Sequence, residues 1–482
     1  MKSDRGKGIK KILLVVLLLV LIIAGAILML AFFYTPAPEL AWVKLSGTPS
    51  DDFAYSVSVD PKGNVYAAGS SSGGFVENSL SGYRDLAILK HNAEGNRLWS
   101  KQFGTFSWDE AYSAASGDKG DVYVAGYTFG GLGGNINSGK YDLFLAKYDA
   151  EGNKLWVRQA GTREDDYAYS AAVDGKGSVY VAGYTYGALD GQSTGGADAF
   201  LMKFDPEGNR LWTKQLGSPS DDVAYSIALD KSGNAYIAGY TGGGLENPSA
   251  GVATPSAGLD GNKHSGSWDA FLAKFDPEGK KLWTRQFGSS SWDEAWAVAV
   301  DEGGNAYIAG YTGGEIEKKS SAKSSGKVAG DFDVFIAKYD ASGNEQWVRR
   351  MGTPENDYAH SIALDPKGNA CLSGYTEGQF KGAKSAGGDD VFVSCYSPRG
   401  RKLWVRQFGS PQGDYSFGVA VDAAGNIYAS GETSGAFAGA SGGTANKGGY
   451  DLFVLKLSAP DTSFMGRLRA FFKDLLKKTG LG

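Results

Sequence analysis

Three histidines and two cysteines are all that 482 residues offer, and no two of the histidines stand at metal-ligand spacing. The chain also lacks a Gly-x-Ser-x-Gly elbow and a phosphate-cradling Gly-Lys-Ser/Thr loop, so two common catalytic and nucleotide-binding signatures are missing. His91 takes the place of a Tyr or Phe before a turn, His264 lies in the longest variable stretch, and His360 replaces an aromatic of a repeated strand. Of these, His360 with neighbouring Tyr358 is the candidate binding site, set against a plain packing substitution. Positive charge is in deficit as well. The formal total is −5; residues 1–11 hold +4 and residues 461–482 hold +3, which leaves −12 for everything between. That balance argues against nucleic acid, whose binding rests on cationic contacts to phosphate. Only one long apolar run is present, and the pattern predicts no cofactor, no metal site and no catalytic residues.

What the chain has instead is one unit of about 57 residues, repeated. Its copies open at Trp42, Trp99, Trp156, Trp212, Trp283, Trp347 and Trp404, at spacings of 57, 57, 56, 71, 64 and 57. Periods of this size mean a solenoid, an array or a propeller, because one unit cannot bury its apolar faces alone. Within a copy, four short runs are separated by turn signals, the pattern of strands and not of helices. The second and third runs of a copy are joined by Asp-x-x-Gly-Asn, as at Asp365 to Asn369, and so are the fourth run and the next Trp run. Asp or Asn caps such a turn with its side chain and Gly supplies positive φ, so both junctions read as tight hairpins. Seven four-stranded antiparallel units without helices predict an all-β, seven-bladed propeller. The run Ala224 to Leu229 is expected to alternate large against small, so that stacked blades interdigitate.

The repeated A-x-D-x-x-G-N-x-Y-x-A-G-x-T and D-x-F-x-x-K-x-D-x-x-G-x-x-x-W signatures, at Ala228 to Thr241 and Asp142 to Trp156 for example, resemble the SBBP family of bacterial β-propeller repeats. The resemblance runs from Trp42 to Leu457 and implies a scaffold with no shared catalytic residues. By similarity to other propellers, the A-Y-S-x-A-V-D run is the innermost strand, G-N-x-Y-x-A-G the second, D-x-F-x-A-K the third and L-W-x-R-Q-F-G the outermost. The first Trp strand then lacks a blade of its own, and the last copy stops after three strands. These leftovers are expected to complete one blade and close the ring, sparing the fold an open edge.

Both hairpins of a blade fall on one face and the variable connections on the other. Gly242 to Trp268 and Gly313 to Phe332 are the longest connections, and loops that vary on a rigid scaffold carry binding, the alternative being inert Gly/Ser spacers. Trp108, Trp268 and Trp292 stand at the same face and suit a protein anchor or a sugar platform, or else cover the mouth of the ring. Asp52 and its six equivalents enter the innermost strands, and Asp85 and its six equivalents open the third. Recurrence in every copy points to carboxylates that accept local hydrogen bonds, with a ring of Ca²⁺ ligands as the alternative. An enzyme would need a cluster specific to one blade, whereas these acids repeat uniformly.

The termini point to a membrane. Five basic residues precede 23 uncharged residues from Ile12 to Tyr34, long enough at about 1.5 Å per residue to span a bilayer. The expected order is a cytoplasmic basic tail at 1–11, a transmembrane anchor at 12–34, a linker at 35–39, the propeller at 40–458 and a basic amphipathic helix at 459–482, with the propeller outside the cytoplasm. A cleaved signal peptide ending at Ala26 is the rival. Residues 464–478 have apolar positions at helical spacing among basic ones, for a helix that lies in the membrane interface or packs on the propeller. Cys371 and Cys395 replace a Tyr and a Lys of the repeat within one copy. If Thr376 faces Asp390, the two cysteines stand opposite each other, which predicts a disulfide and an oxidising compartment. The chain thus reads as a non-enzymatic, membrane-anchored scaffold, at the cell surface or in the periplasm, that recognises a protein partner. A carbohydrate-binding module, or a hydrolase or lyase using the acidic face, is the alternative.

Overall fold

A computed structural model describes residues 36–75, 80–191, 193–245, 266–315, 330–437, 446–461 and 463–479, with residues 22, 25 and 29. Among the described residues twenty-eight strands form seven sheets of four. In the first blade the order from the axis outward is Asp52–Val59, Val65–Ser71, Asp85–His91 and Arg97–Phe103. The turns between strands are fixed chemically. At Asp60 the side-chain Oδ1 accepts the backbone N–H of Lys62 and of Asn64, at 2.9 and 2.8 Å. Gly63 at φ 82° completes the reversal, a region that other residues enter only at a cost.

The last blade closes the ring. Its sheet runs Asp414–Val421, Ile427–Thr433, Asp451–Ser458 and then Glu39–Ser46, so the outermost strand comes from the start of the propeller sequence. No strand edge within a blade is left for want of a partner from the next repeat. The second and third strands are almost wholly buried, and the core lies between blades. Tyr66, Ala68, Leu86 and Ile88 of the first blade pack with Ala111, Val122, Val124 and Phe144 of the second. Large side chains from one sheet enter the small-residue surface of the next, as close packing requires.

Residues 40–457 make one compact unit; residues 1–39 and 458–482 make another. In the latter, Ser463 caps the helix Phe464–Thr479, its Oγ accepting the Gly466 N–H at 3.0 Å. Met465, Phe472, Leu475 and Leu476 of that helix are exposed, and Lys473 pairs with Glu39. Among the described residues no helix is long and apolar enough to cross a membrane. The anchor expected at 12–34 falls, apart from 22, 25 and 29, outside the described residues.

Candidate functional site

The innermost strand of every blade carries one extra residue. In the first blade Ala54 pairs with Gly69 and Ser56 with Ala68, leaving Tyr55 unpaired. The same bulge falls at Tyr112, Tyr169, Tyr225, Trp296, His360 and Phe417. A bulge re-aims its residue, so the simple alternation expected along Ala224 to Leu229 does not hold: Tyr225 and Ser226 both line the axial cavity. The seven bulge residues form a closed ring. Going round from Tyr55 through Tyr112, Tyr169, Tyr225, Trp296, His360 and Phe417, successive centroids lie 4.6, 4.7, 5.3, 4.0, 4.8 and 5.2 Å apart. Phe417 returns to Tyr55 at 5.7 Å. These are the separations at which aromatic pairs attract, and together the rings wall a cavity of about 320 Å³.

Next to this ring lies a set of serines that stitch the blades. Ser56, Ser113, Ser170, Ser226 and Ser361 each accept, through Oγ, a backbone N–H of the following blade at 3.0–3.3 Å. A second tier stands against the ring from the next strand out. Tyr127, Tyr184, Tyr240 and Tyr375 sit 5.5–5.8 Å from the ring residue of their own blade. At the matching positions the first blade has Ser70 and the seventh has Glu432.

Three buried glutamates break the sevenfold pattern here, which corrects the expectation of uniformly repeating acids. Glu110 pairs with the Arg84 guanidinium at 2.9 Å and accepts the Tyr112 hydroxyl at 3.1 Å. Arg84 itself lies over the Phe53 and Trp108 rings, at 4.6 and 4.8 Å. Glu294 accepts the Trp296 indole N–H at 2.9 Å, and burial pushes its carboxyl up to about 7. Glu432 has neither arrangement: its Oε2 is buried without a hydrogen-bond partner, and burial, reinforced by Asp51, pushes it up to about 8. Sequence reasoning missed these residues because it compared acids at repeated positions, and Glu432 occupies a position that five other copies give to tyrosine.

The residues singled out in the sequence are distributed around this region. His360 is a member of the ring, held neutral by burial with its pKa lowered to about 4; Tyr358 lies behind it, and both touch Tyr375, at 4.9 and 5.5 Å. Trp268 stacks between Tyr240 and Trp292 at 4.3 and 4.9 Å. Trp108 stands apart in the second blade against Tyr83. The connections Gly242 to Trp268 and Gly313 to Phe332 fall largely on residues 246–265 and 316–329, outside the described residues. Both aspartate sets are buried and accept local donors: Asp52 takes the Thr48 N–H at 2.6 Å and the Ser71 hydroxyl, and Asp142 the Ser138 N–H and Gln159 amide at 2.8 and 2.9 Å. Among the described residues no group of three or more His, Cys, Asp or Glu stands in a geometry that would hold a metal. Cys371 and Cys395 face each other in register and are disulfide-bonded, Cα to Cα 4.1 Å.

The SBBP β-propeller repeat matches this chain six times, at residues 41–75, 155–189, 211–246, 282–317, 346–381 and 403–438. A regulatory protein of Caulobacter vibrioides, FlaEY, is 28% identical over 229 residues, which cover 43% of this chain and 23% of that protein. An uncharacterized WD repeat-containing protein of Acanthamoeba polyphaga mimivirus is 22% identical over 431 residues, 69% of this chain and 31% of that one. The chain therefore spans less than a third of the length of either relative. Among solved structures, the WD40 domain of Neurospora crassa Pan2 superposes with a TM-score of 0.45 at 9% identity, covering 83% of this chain and 88% of that domain.

Proposed function

From a chain built of SBBP β-propeller repeats, we propose a non-enzymatic scaffold, anchored in a membrane by residues 12–34 and held outside the cytoplasm, that binds a protein partner on the face where the innermost strands begin. One observation carries the binding reading. Tyr83, Phe106, Trp108, Phe129, Tyr186 and Trp292 are exposed on that face, in the connections that enter the innermost strands or leave the second ones. Among the described residues the hairpin turns of the opposite face expose no large hydrophobic side chain, and the exposed leucines of the propeller, Leu98, Leu155, Leu211 and Leu282, lie on the outermost strands. Apolar area kept in water on one face of a rigid scaffold marks an interaction surface, and aromatic residues with an arginine are its usual anchors. The disulfide supports an oxidising compartment, and the basic flank of the apolar run supports the orientation.

The test is cross-linked capture from intact cells with the full chain and with a variant carrying Phe106→Ser, Trp108→Ser and Trp292→Ser. The variant is expected to stay folded by circular dichroism, melting somewhat lower because Trp108 packs under Arg84 and Trp292 against Trp268, and to lose at least nine-tenths of the captured partner. Undiminished capture would refute the assignment of this face.

A further inference from the structure

Buried carboxylates near aromatic rings recur in this molecule, and each comes with its own donor except one. Glu110 has Arg84, whose guanidinium also covers two aromatic faces. Glu294 has the Trp296 indole. On the hairpin face, six lysines lie over the tyrosine beside them, 4.7–5.2 Å from the ring centroid. Glu432 is 9% exposed, and among the described glutamates it alone keeps a buried oxygen without a partner. A carboxylate in that state is expensive, because desolvation is not repaid by any hydrogen bond. The same position holds a tyrosine in five of the other blades and Ser70 in the first, so the repeat does not call for a glutamate.

Its surroundings say what would repay the cost. Glu432 shares its field with Asp51 and Glu110 against the single positive charge of Arg84, and Arg84 is already paired. Tyr55 of the ring lies within reach of the Glu432 charge. At this point the second tier is not aromatic: Ser70 and Glu432 replace the tyrosines. The site therefore combines a buried carboxyl with an unpartnered oxygen, acidic neighbours that outnumber the one arginine, and a polar gap in the tier. A cation carried on an apolar stem satisfies all of these at once, as Arg84 does next door.

We propose that Glu432, with the aromatic ring beside it, receives one cationic side chain, lysine or arginine, from the polypeptide partner, a step that rests on the partner-binding reading above. The probe is the peptide acetyl-Gly-Gly-Lys-Gly-Gly-amide, titrated calorimetrically into the full chain beside its norleucine counterpart, which keeps the stem and removes the charge. The lysine peptide should bind at least tenfold tighter. Glu432→Gln should erase that preference, as should Glu432→Tyr, which restores the residue of the repeat, whereas Glu294→Gln should preserve it. Equal binding of the two peptides, no binding of either, or a preference that survives in both Glu432 variants would overturn the proposal. Those outcomes leave the partner-binding reading intact, because that reading fails only if the Phe106, Trp108 and Trp292 variant still captures its partner.

Discussion

The glycine in the second strand of each blade answers to the bulge opposite it. A Cβ on Gly69 would lie 1.8 Å from the Phe53 carbonyl oxygen, and one on Gly239 would lie 1.7 Å from that of Val223. The bulge drives this carbonyl into the neighbouring strand, so a larger residue there would flatten the bulge and pull Tyr55 or Tyr225 out of the ring. Burial at the same residues also sets a pH response. Glu432 is pushed up to about 8, and Glu294 and Asp222 up to about 7, in each case by desolvation first. Unfolded, these groups release their protons near pH 4, so between about pH 6.5 and 8 the folded state holds protons that the unfolded chain has lost. Stability must then fall as pH rises through that window. His91 and His360, both lowered to about 4 by burial, work in the opposite sense, but only below the ordinary histidine value near 6.5. The melting temperature should therefore decline from pH 6.5 to 8.5, and Glu432→Gln should remove the largest single share, up to about 1.4 kcal/mol per pH unit for one proton. A flat profile for the parent, measured by calorimetry in matched buffers, would contradict the burial argument.

At the scale of the strand and turn, neighbouring blades are latched by the residues that define the repeat. The indole N–H groups of Trp42, Trp99, Trp212, Trp283 and Trp347 each donate to a carbonyl in the next blade's turn between its third and outermost strands. The ammonium groups of Lys90, Lys203, Lys274 and Lys456 reach the same carbonyls from the third strand. The sixth blade has no such turn to reach. Its neighbour, the seventh, takes its outermost strand from the start of the chain, so nothing connects Ser458 to Glu39 as a hairpin. In the sixth blade the cross-strand Tyr and Lys pair is replaced by Cys371 and Cys395, and the bridge holds the sheet where a lysine latch would have no acceptor. Replacing both by serine should cost roughly 3 kcal/mol, the usual scale for a loop of this length. Cys371→Tyr with Cys395→Lys, which rebuilds the repeat, should recover less than half of that in chemical denaturation, for want of the turn. Full recovery would show that the latch operates at this seam after all.

At the scale of the whole molecule, the architecture was legible in the sequence, and of the ring only His360 had been singled out. Seven tryptophans at near-constant spacing fixed the number of blades, Asp-x-x-Gly-Asn fixed the hairpins, and the unmatched first strand fixed how the ring closes. Counting along the ladder from Thr376 opposite Asp390 reached the register in which Cys371 faces Cys395. The bulge escaped because its residues are aromatic or histidine whether or not the strand alternates, and alternation is what periodicity reads. Glu432 escaped because a side chain without a partner is a property of three-dimensional surroundings, and one glutamate at a tyrosine position carries no such signal. The closing strand stands next in sequence to the proposed anchor. Glu39–Ser46 supplies the outermost strand of the last blade, with Val43 wholly buried and Leu45 nearly so, and it begins five residues after the apolar run at 12–34. Two truncations separate the roles of these adjacent segments. A chain starting at residue 36 keeps the strand and loses the run, so it should leave the membrane fraction and melt within about 2 °C of the parent, because all 28 strands described are kept. A chain starting at residue 48 loses the strand too, bares the edge of Asp451–Ser458, and should melt far lower and aggregate. Added peptide 36–47 should restore its melting temperature in a concentration-dependent way. If the chain starting at 36 still sediments with membranes, the tether lies elsewhere, and the helix Phe464–Thr479 with its exposed apolar residues becomes the segment to remove next.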